Sequence, residues 1–434
     1  MIKLATSFSI APFRFNVTPP IDHALLGGLV PPVIACDDPL EAIGYVLLGG
    51  DAPVVVCAVD WAGLMNDAHR LWRQALAEAA GTRPERVAVH CVHQHNAPLV
   101  CPDARAAAAR HPELPAMFEP EFFSSCLERA REAVRAALRQ PRRVTHVAHG
   151  QATVREVASN RRVARDAAGR VVAMRRSACE DAALRELPEG TIDPTLQTIA
   201  FLDEGTRIVS AHYYATHPMS YYHDGRVSSD FCGLARKRLQ CEEPDCTHLY
   251  FTGCAGDVAA GKYNDGSPTA RQALTERMYR SFVSAQAALR PEPLRSIDWR
   301  TELVLPPPRA MPTAEAAEHE LGRADASPVH RLLHAFRLGW LRRVARGEPI
   351  GLSNLRLNDI SIVHLPGEMF VEYQLRARAM RPAHPVAVAA YGDAGPWYVP
   401  PREEYPGGGY EVEHAFSREE ADEIFTGAIA RLLA

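Results

Sequence analysis

β-branched apolar runs alternate with helical patterns along the first half of the chain, and this alternation narrows the possible folds more than any other feature. Residues 53–61 (PVVVCAVDW) and 86–93 (RVAVHCVH) are typical of strands. Residues 67–80, which lie between them, have the spacing of a helix. A strand, a helix and a second strand in this order predict a βαβ unit with parallel strands.

The alternation continues to the end of the chain. It predicts helices over residues 119–139, 269–289 and from 417, and strands over residues 196–203, 207–217, 246–253, from 297, 355–366 and 385–392. Residues 330–346 are basic and amphipathic, and are either a core-packed helix with a solvated arginine face or a lid or lipid-touching surface. We find no internal repeat. We therefore expect an α/β fold with mixed β-sheets, helices packed around them, and a single domain over residues 1–434.

Composition excludes several classes of protein. With 434 residues and 47% hydrophobic content the chain can bury a large core, and a net charge of −4 without a polybasic run argues against nucleic acid as a partner. No apolar stretch approaches the roughly 20 residues of a bilayer-spanning helix. Residues 1–20 do not resemble a secretion signal, so we expect a cytoplasmic protein without membrane insertion.

We expect most of the ten scattered cysteines to be reduced.

Several polar residues follow predicted strands. His93 and His95 lie at one strand end, where an extended chain would point both imidazoles to one side. One interpretation is that one histidine binds a metal ion and the other assists in the chemistry. The other is that both only make local hydrogen bonds. His217 ends a second strand, before a helix start at Ser228-Ser229-Asp230, and Glu368 follows a third strand in a Pro-Gly-Glu turn that we expect to open a helix.

Two further patterns are weaker. Residues 256–262 match the GxxxxGK spacing of a phosphate-binding loop, but Tyr263 stands where the usual Ser or Thr would bind Mg²⁺. Cys241, Cys246 and His248 could suggest a structural zinc site, but a fourth ligand at suitable spacing is missing. We expect neither site to form.

Taken in order, these segments resemble the catalytic domain of the neutral ceramidases, zinc-dependent amidases that split ceramide into sphingosine and fatty acid. The resemblance covers residues 13 to 413. It rests on seven short motifs: residues 16–20 (NVTPP), the HxH at His93, Asn160-Arg161, His217 with its SSD helix start, Ala255-Gly256-Asp257, Pro366-Gly367-Glu368, and a tyrosine-rich loop that ends in Tyr410-Glu411.

The resemblance implies a set of metal ligands. A zinc ion would be held by His93, His217, Glu368 and Tyr398. Two imidazoles and a carboxylate form a usual catalytic zinc set that leaves room for water.

The resemblance also implies catalytic roles. Arg161 would bind substrate, and Tyr410 would stabilise the oxyanion. His95 or Asp257 could move the proton to the leaving amine, and the sequence does not decide between them.

Two departures from the family separate this chain from a ceramidase. The family's AGD-like loop continues to a serine, whereas Ala259 stands here, which excludes a serine-acyl mechanism at that position. The ceramidases that this chain resembles carry a secretion signal and a C-terminal β-sandwich domain in addition to the catalytic domain. We expect neither in this chain. Ceramide itself is therefore not the expected substrate.

The sequence thus predicts a zinc-dependent amidohydrolase, in which metal-bound hydroxide attacks a linear amide of a small, soluble N-acyl compound. A lactone, ester or carbamoyl hydrolase with the same metal is one alternative. A non-catalytic ligand-binding protein is another, and a nucleotide-binding protein is a weaker third.

Overall fold

The predicted βαβ unit is present in the computed structural model, which describes residues 8–221 and 223–434. Strands Val54–Val59 and Val87–Cys91 pair in parallel, and helix α1 (Asp67–Ala80) connects them. The helix ends at Gly81, whose φ of 66° allows the left-handed turn that terminates it. The expectation about a secretion signal rests partly on residues 1–7, which lie outside the described residues.

Three mixed sheets form the frame. In spatial order, the first contains Val87–Cys91, Val54–Val59, Glu41–Leu48, Phe8–Asn16 and Arg142–Val144. The second contains Thr247–Thr252, Thr206–Tyr214, Thr195–Asp203, His146–Thr153 and Arg290–Pro293. The third contains Ile297–Val304, Ile350–Leu357, Ile360–His364 and Val386–Ala389. Each sheet has one parallel pair, and its other pairs are antiparallel.

Short strand pairs tie the connecting loops together. They are Gly63–Leu64 with Leu99–Val100, Ser159–Asn160 with Val258–Ala259, Glu368–Met369 with Tyr398–Val399, Ala35–Cys36 with Arg226–Val227, and Ala164–Arg165 with Val171–Ala173.

Ten more α-helices follow α1 in the described residues. They are α2 (Pro102–Ala108), α3 (Pro120–Ala137), α4 (Ala182–Glu186), α5 (Asp230–Glu242), α6 (Pro268–Ala287), α7 (Ala314–Gly322), α8 (Pro328–Ala345), α9 (Val371–Met380), α10 (Tyr410–Glu413) and α11 (Ala421–Leu433). Three short 3₁₀ helices span Leu26–Gly28, Pro84–Arg86 and Arg402–Gly407.

The three sheets share one apolar core, and helices cover their other faces. Strand Val54–Val59 shows how this follows from the sequence, because all six of its side chains are buried. Val56 packs toward the core shared by the sheets, together with Phe201 and Ile362 of the other two sheets. Its neighbour Cys57 points the opposite way, toward the helix-covered core that contains Trp72 of α1. Burial on both faces explains why this strand is a continuous apolar run.

The third sheet differs in one detail from the expectation. The strand predicted over residues 355–366 is a hairpin of Ile350–Leu357 and Ile360–His364. Its turn passes through Asn358, which has a φ of 53°. Asparagine tolerates this left-handed conformation, so a run that reads as one strand contains a reversal.

The basic segment 330–346 belongs to α8 and is core-packed. Leu332, Phe336 and Trp340 are fully buried, as the first of the two interpretations predicts. No helix among the described residues is long and apolar enough to cross a membrane.

Candidate metal centre

Three side chains meet where strands of the three sheets end. His93 follows Val87–Cys91, His217 follows Thr206–Tyr214, and Glu368 follows Ile360–His364. Each of these strands belongs to the parallel pair of its sheet, and ligand sites in open α/β sheets lie beyond the carboxyl ends of such strands.

Oε2 of Glu368 lies between the two imidazoles, 3.2 Å from Nε2 of His93 and 3.1 Å from Nε2 of His217. The other ring nitrogens are engaged by the backbone. Nδ1 of His93 donates to the carbonyl of Ala62, and Nδ1 of His217 donates to the carbonyl of Ala255, each at 2.6 Å. A carbonyl oxygen can only accept, so in the neutral rings both Nε2 atoms present lone pairs to the carboxylate.

This arrangement requires a cation. Two nitrogen lone pairs and a carboxylate oxygen at 3.1–3.2 Å repel one another unless a proton or a metal ion lies among them. Burial lowers the pKa of His217, which disfavours a proton there. Donors about 2.0–2.1 Å from a tetrahedral zinc ion are about 3.4 Å apart, so small shifts would admit the ion. The residues therefore fit zinc.

His95 joins the cluster, although the backbone is not extended here as expected. The strand ends at Cys91, and His93 has a φ of 75°, so the two imidazoles converge through a turn. The ring centres of His95 and His93 are 5.0 Å apart, and one nitrogen each from His93, His95 and His217 lies within 4.8 Å of the others. Burial, with His93 nearby, lowers the pKa of His95 well below its usual value, so the ring is neutral at pH 7.

Glu368 does not open a helix. It lies in the two-residue strand Glu368–Met369, and α9 begins only at Val371. This strand pairs in parallel with Tyr398–Val399, with Glu368 opposite Tyr398. Partners in a parallel pair project to the same side, so the phenol lies beside the carboxylate. Burial and Glu368 raise the pKa of Tyr398 well above its usual range.

Arg161 lies behind the tyrosines rather than in the cavity lining. Its Nε is 3.1 Å from Oε1 of the fully buried Glu411, and it donates a hydrogen bond to Tyr398. Its guanidinium carbon is 5.7 Å from the ring centre of Tyr410. The described contacts of Arg161 are thus with these tyrosines and Glu411, and its predicted role in substrate binding stays a prediction.

Asp257 is also held away from the cavity. Oδ1 accepts from the backbone N–H of Val371 at 2.9 Å, and Oδ2 accepts from the side-chain amide of Asn160 at 2.6 Å. Burial and Glu372 raise the pKa of Asp257 well above its usual value. The carboxyl group thus joins three segments of the chain, and of the two candidates for proton transfer only His95 reaches the cavity.

A cavity of about 170 Å³ opens beside these groups. His93, His95, Glu368, Tyr398 and Tyr410 contribute its polar lining. The rest is mostly apolar, from Leu26, Leu29, Val30, Ala62, Met65, Leu99, Val329, Leu333, Ala394 and Trp397, with His223 at one side. Sequence reasoning did not assign these apolar residues to the site, because they look like any other core residues.

The sequence alone indicates no role for Tyr391. It is buried and its ring stacks on His93 with centres 4.3 Å apart. It adopts a φ of 58°, which is rare for an aromatic residue. The only signal in the sequence is its place in the glycine- and tyrosine-rich loop 391–411.

The two weaker patterns do not form the sites that they suggest. Nζ of Lys262 donates to the carbonyls of Arg185 and Leu187 at the end of α4, and Val258–Ala259 is a strand, so residues 256–262 do not form a phosphate-binding loop. Cys241 is exposed and lies apart from the cluster of Glu243, Cys246 and His248.

Known structures share this fold. The chain matches a ceramidase complexed with C2, with a TM-score of 0.70 and 15% sequence identity, over 99% of this chain and 75% of the ceramidase chain. It matches a neutral ceramidase from Pseudomonas aeruginosa with a TM-score of 0.68, again at 15% identity and over 99% and 75% of the two chains. No protein-family model and no curated protein sequence matches the chain. The predicted fold, that of the neutral ceramidase catalytic domain, is confirmed.

Proposed function

We propose that this chain is a zinc-dependent hydrolase of N-acyl amide bonds, with zinc held by His93, His217, Glu368 and Tyr398. The observation that carries the proposal is the pair of imidazole lone pairs directed at Glu368 Oε2 in a buried site. A carboxylate and two imidazoles with room for water form a usual catalytic zinc set. The ceramidase fold agrees with this chemistry.

His93, His217, Glu368 and Tyr398 would hold the zinc ion, which when bound would supply a water with a pKa of about 7 and a Lewis acid for the acyl carbonyl. The chain supplies the remaining functions. The carbonyls of Ala62 and Ala255 fix the tautomer of the two histidines. His95, neutral and in the cavity lining, can take the proton of the attacking water and pass it to the leaving amine.

The negative charge that develops on the acyl oxygen also needs a hydrogen-bond donor to stabilise it. Tyr410 lines the cavity and can donate its phenol proton to that oxygen as negative charge builds. Arg161 acts through Tyr398, because its guanidinium holds that phenol in place.

We further propose a short acyl group, on a soluble compound, as the substrate. A cavity of about 150 Å³ holds a molecule the size of benzene, and the cavity here is about 170 Å³. Its apolar walls suit a short alkyl or aryl acyl chain.

The test is a panel of N-acyl compounds of increasing chain length, assayed with the zinc-loaded protein. We expect kcat/KM to peak at short chains and to be far lower for detergent-dispersed long-chain ceramide. Leu333→Ala enlarges the cavity wall and should shift the peak to longer chains, whereas Leu305→Ala, which changes an exposed leucine outside the cavity, should not. A preference for long-chain ceramide would disprove the proposed substrate class.

The panel should also contain esters, lactones and carbamoyl compounds. Hydrolysis of these without any amide turnover would reassign the acyl bond but leave the metal centre in place. Absence of all turnover by zinc-loaded protein would favour a binding protein.

A further inference from the structure

A second group of metal-binding side chains lies on α7 and α8, outside the cavity lining. Glu320 belongs to α7, and His330 and His334 belong to α8. One donor atom from each lies within 4.8 Å of the other two. Nε2 of His330 is 2.9 Å from Oε2 of Glu320, and the two imidazole centres are 4.7 Å apart.

The backbone presents these donors in a fixed arrangement. His330 and His334 are four residues apart, so their side chains lie on the same face of α8. The first turn of that helix is capped by Ser327, whose hydroxyl accepts from the backbone N–H of His330. The two helices are consecutive and only five residues separate them, which limits how far Glu320 can move from the histidines.

The donors are in a suitable state for a metal ion. Nδ1 of His334 is buried and has no hydrogen-bond partner among the described residues. Burial and the neighbouring His330 lower the pKa of His334 to about 4, so its ring is neutral at pH 7 and can coordinate. Two imidazoles and one carboxylate are ligands that zinc accepts, with water completing the shell.

Two positively charged groups oppose the cation. Arg337 lies close enough to His334 to add to the effect of burial in lowering the pKa of that imidazole. Nη1 of Arg323 is 3.1 Å from Oε2 of Glu320, so a metal ion must compete with this guanidinium for the carboxylate. Arg323 also pairs with the exposed Asp325 at 2.8 Å, which offers it another partner when a metal takes Glu320.

A third donor group, Glu243, Cys246 and His248, is a useful contrast. Arg207 lies 2.7 Å from Glu243. Burial lowers the pKa of His248 to about 3, and Arg207 and Arg236 add to this shift. Burial also raises the pKa of the Cys246 thiol, which disfavours the thiolate that would bind a metal ion, so we assign no site to this group.

We propose that Glu320, His330 and His334 form a second site for a divalent transition metal, which ties α7 to α8. Because α8 also carries Val329 and Leu333 of the cavity wall, an ion there would hold that wall in place. The proposal does not depend on what the cavity hydrolyses.

The test is a titration of the metal-free protein with cobalt(II), followed by its visible absorption and by elemental analysis. We expect two equivalents of cobalt(II) to bind per chain. One of them binds at the site that contains His93 and His217. His334→Ala should weaken the second equivalent by about tenfold or more and leave the first in place. Arg323→Gln should strengthen the second, because it removes the competing cation.

The exposed His384 lies outside all three donor groups, so His384→Ala is the matched control and should bind both equivalents as the unchanged protein does. The proposal is wrong if the unchanged protein saturates at one equivalent that His93→Ala removes, or if His334→Ala binds every equivalent as tightly as the control. An effect of Arg323→Gln in the opposite direction would also overturn it.

Discussion

The chemistry proposed for the cavity depends on two backbone carbonyls as much as on the side chains themselves. Ala62 and Ala255 accept the Nδ1 protons of His93 and His217, and this leaves both Nε2 lone pairs directed at Glu368. If either carbonyl were absent, that imidazole could turn its N–H toward the carboxylate and satisfy it without a metal.

His93→Ala and His217→Ala should therefore each remove the one zinc equivalent bound at the cavity and abolish activity. Glu368→Gln should weaken zinc binding, because it removes the only carboxylate from the set, whereas Tyr398→Phe should reduce turnover more than metal content. Elemental analysis and an amide assay on the same samples measure both quantities. His384→Ala is the control and should retain zinc and activity. Absence of zinc from reconstituted, unchanged protein would refute the metal assignment.

Ala259 leads to a second expectation at single-residue scale. No covalent acyl-enzyme should form in the loop 254–260, because a serine is absent there. Cys254 is no substitute nucleophile, since burial raises the pKa of its thiol well above the usual range. Fluorophosphonates should leave activity intact and chelators should inhibit it. Recovery of a labelled peptide from this loop by mass spectrometry would contradict the expectation.

Among the elements, the loop 391–398 and helix α8 depend on one buried ion pair. Nη1 of Arg343 donates to Oδ2 of Asp393, and Oδ1 of Asp393 accepts from the N–H groups of Asn66 and Gly395. Burial alone would raise the pKa of Asp393, but Arg343 keeps it below the usual value. The pair thus fixes the loop that delivers Tyr398 to the cavity.

Arg343→Ala should lower the free energy of unfolding by about 3–5 kcal/mol, because it leaves the Asp393 carboxylate buried without its partner. The adjacent Arg342 is a matched control, since it pairs with Glu318 at the surface. Its replacement by alanine should change stability by less than about 1 kcal/mol. Urea unfolding of both variants measures these changes. Equal decreases in the free energy of unfolding would show that the buried pair stabilises the fold no more than the surface pair.

At the scale of the whole molecule, the packing of three sheets buries several histidines as well as the proposed metal ligands. Burial lowers the pKa of His69 to about 4, and of His90 and His248 to about 3. The unfolded chain binds protons at these residues near pH 6.5, whereas the folded chain does not. The free energy of unfolding should therefore be highest above pH 6.5 and fall as the pH drops toward 4.

Each such histidine should lower the free energy of unfolding by about 2 kcal/mol when the pH falls from 7 to 5. Urea unfolding at the two pH values measures the total. His248→Gln should reduce the loss, whereas His384→Gln, at an exposed position, should not. A free energy of unfolding that stays constant from pH 7 to pH 5 would show that these histidines take up protons in the folded state as readily as in the unfolded chain.

The sequence by itself determined the class of fold and many of its helices and strands. Alternating apolar runs identified α1 and the strands on either side of it. Burial of one face of a strand or helix makes apolar residues recur at a fixed spacing, and this spacing can be recognised within a single segment. The positions of His93, His217 and Glu368 after strands could be recognised for the same reason. Motif order then supplied the resemblance to the ceramidase fold, including the set of expected ligands.

Only the tertiary structure decided which of these groups meet and in what state. His217 and Glu368 are 151 residues apart, and their separation of 3.1 Å results from the packing of two sheets rather than from any local pattern. Likewise, partners from distant segments engage Asp257 and Arg161, which removes both from the cavity lining. Hydrogen bonds between distant segments depend on three-dimensional proximity, and the period of a single strand or helix carries no information about it.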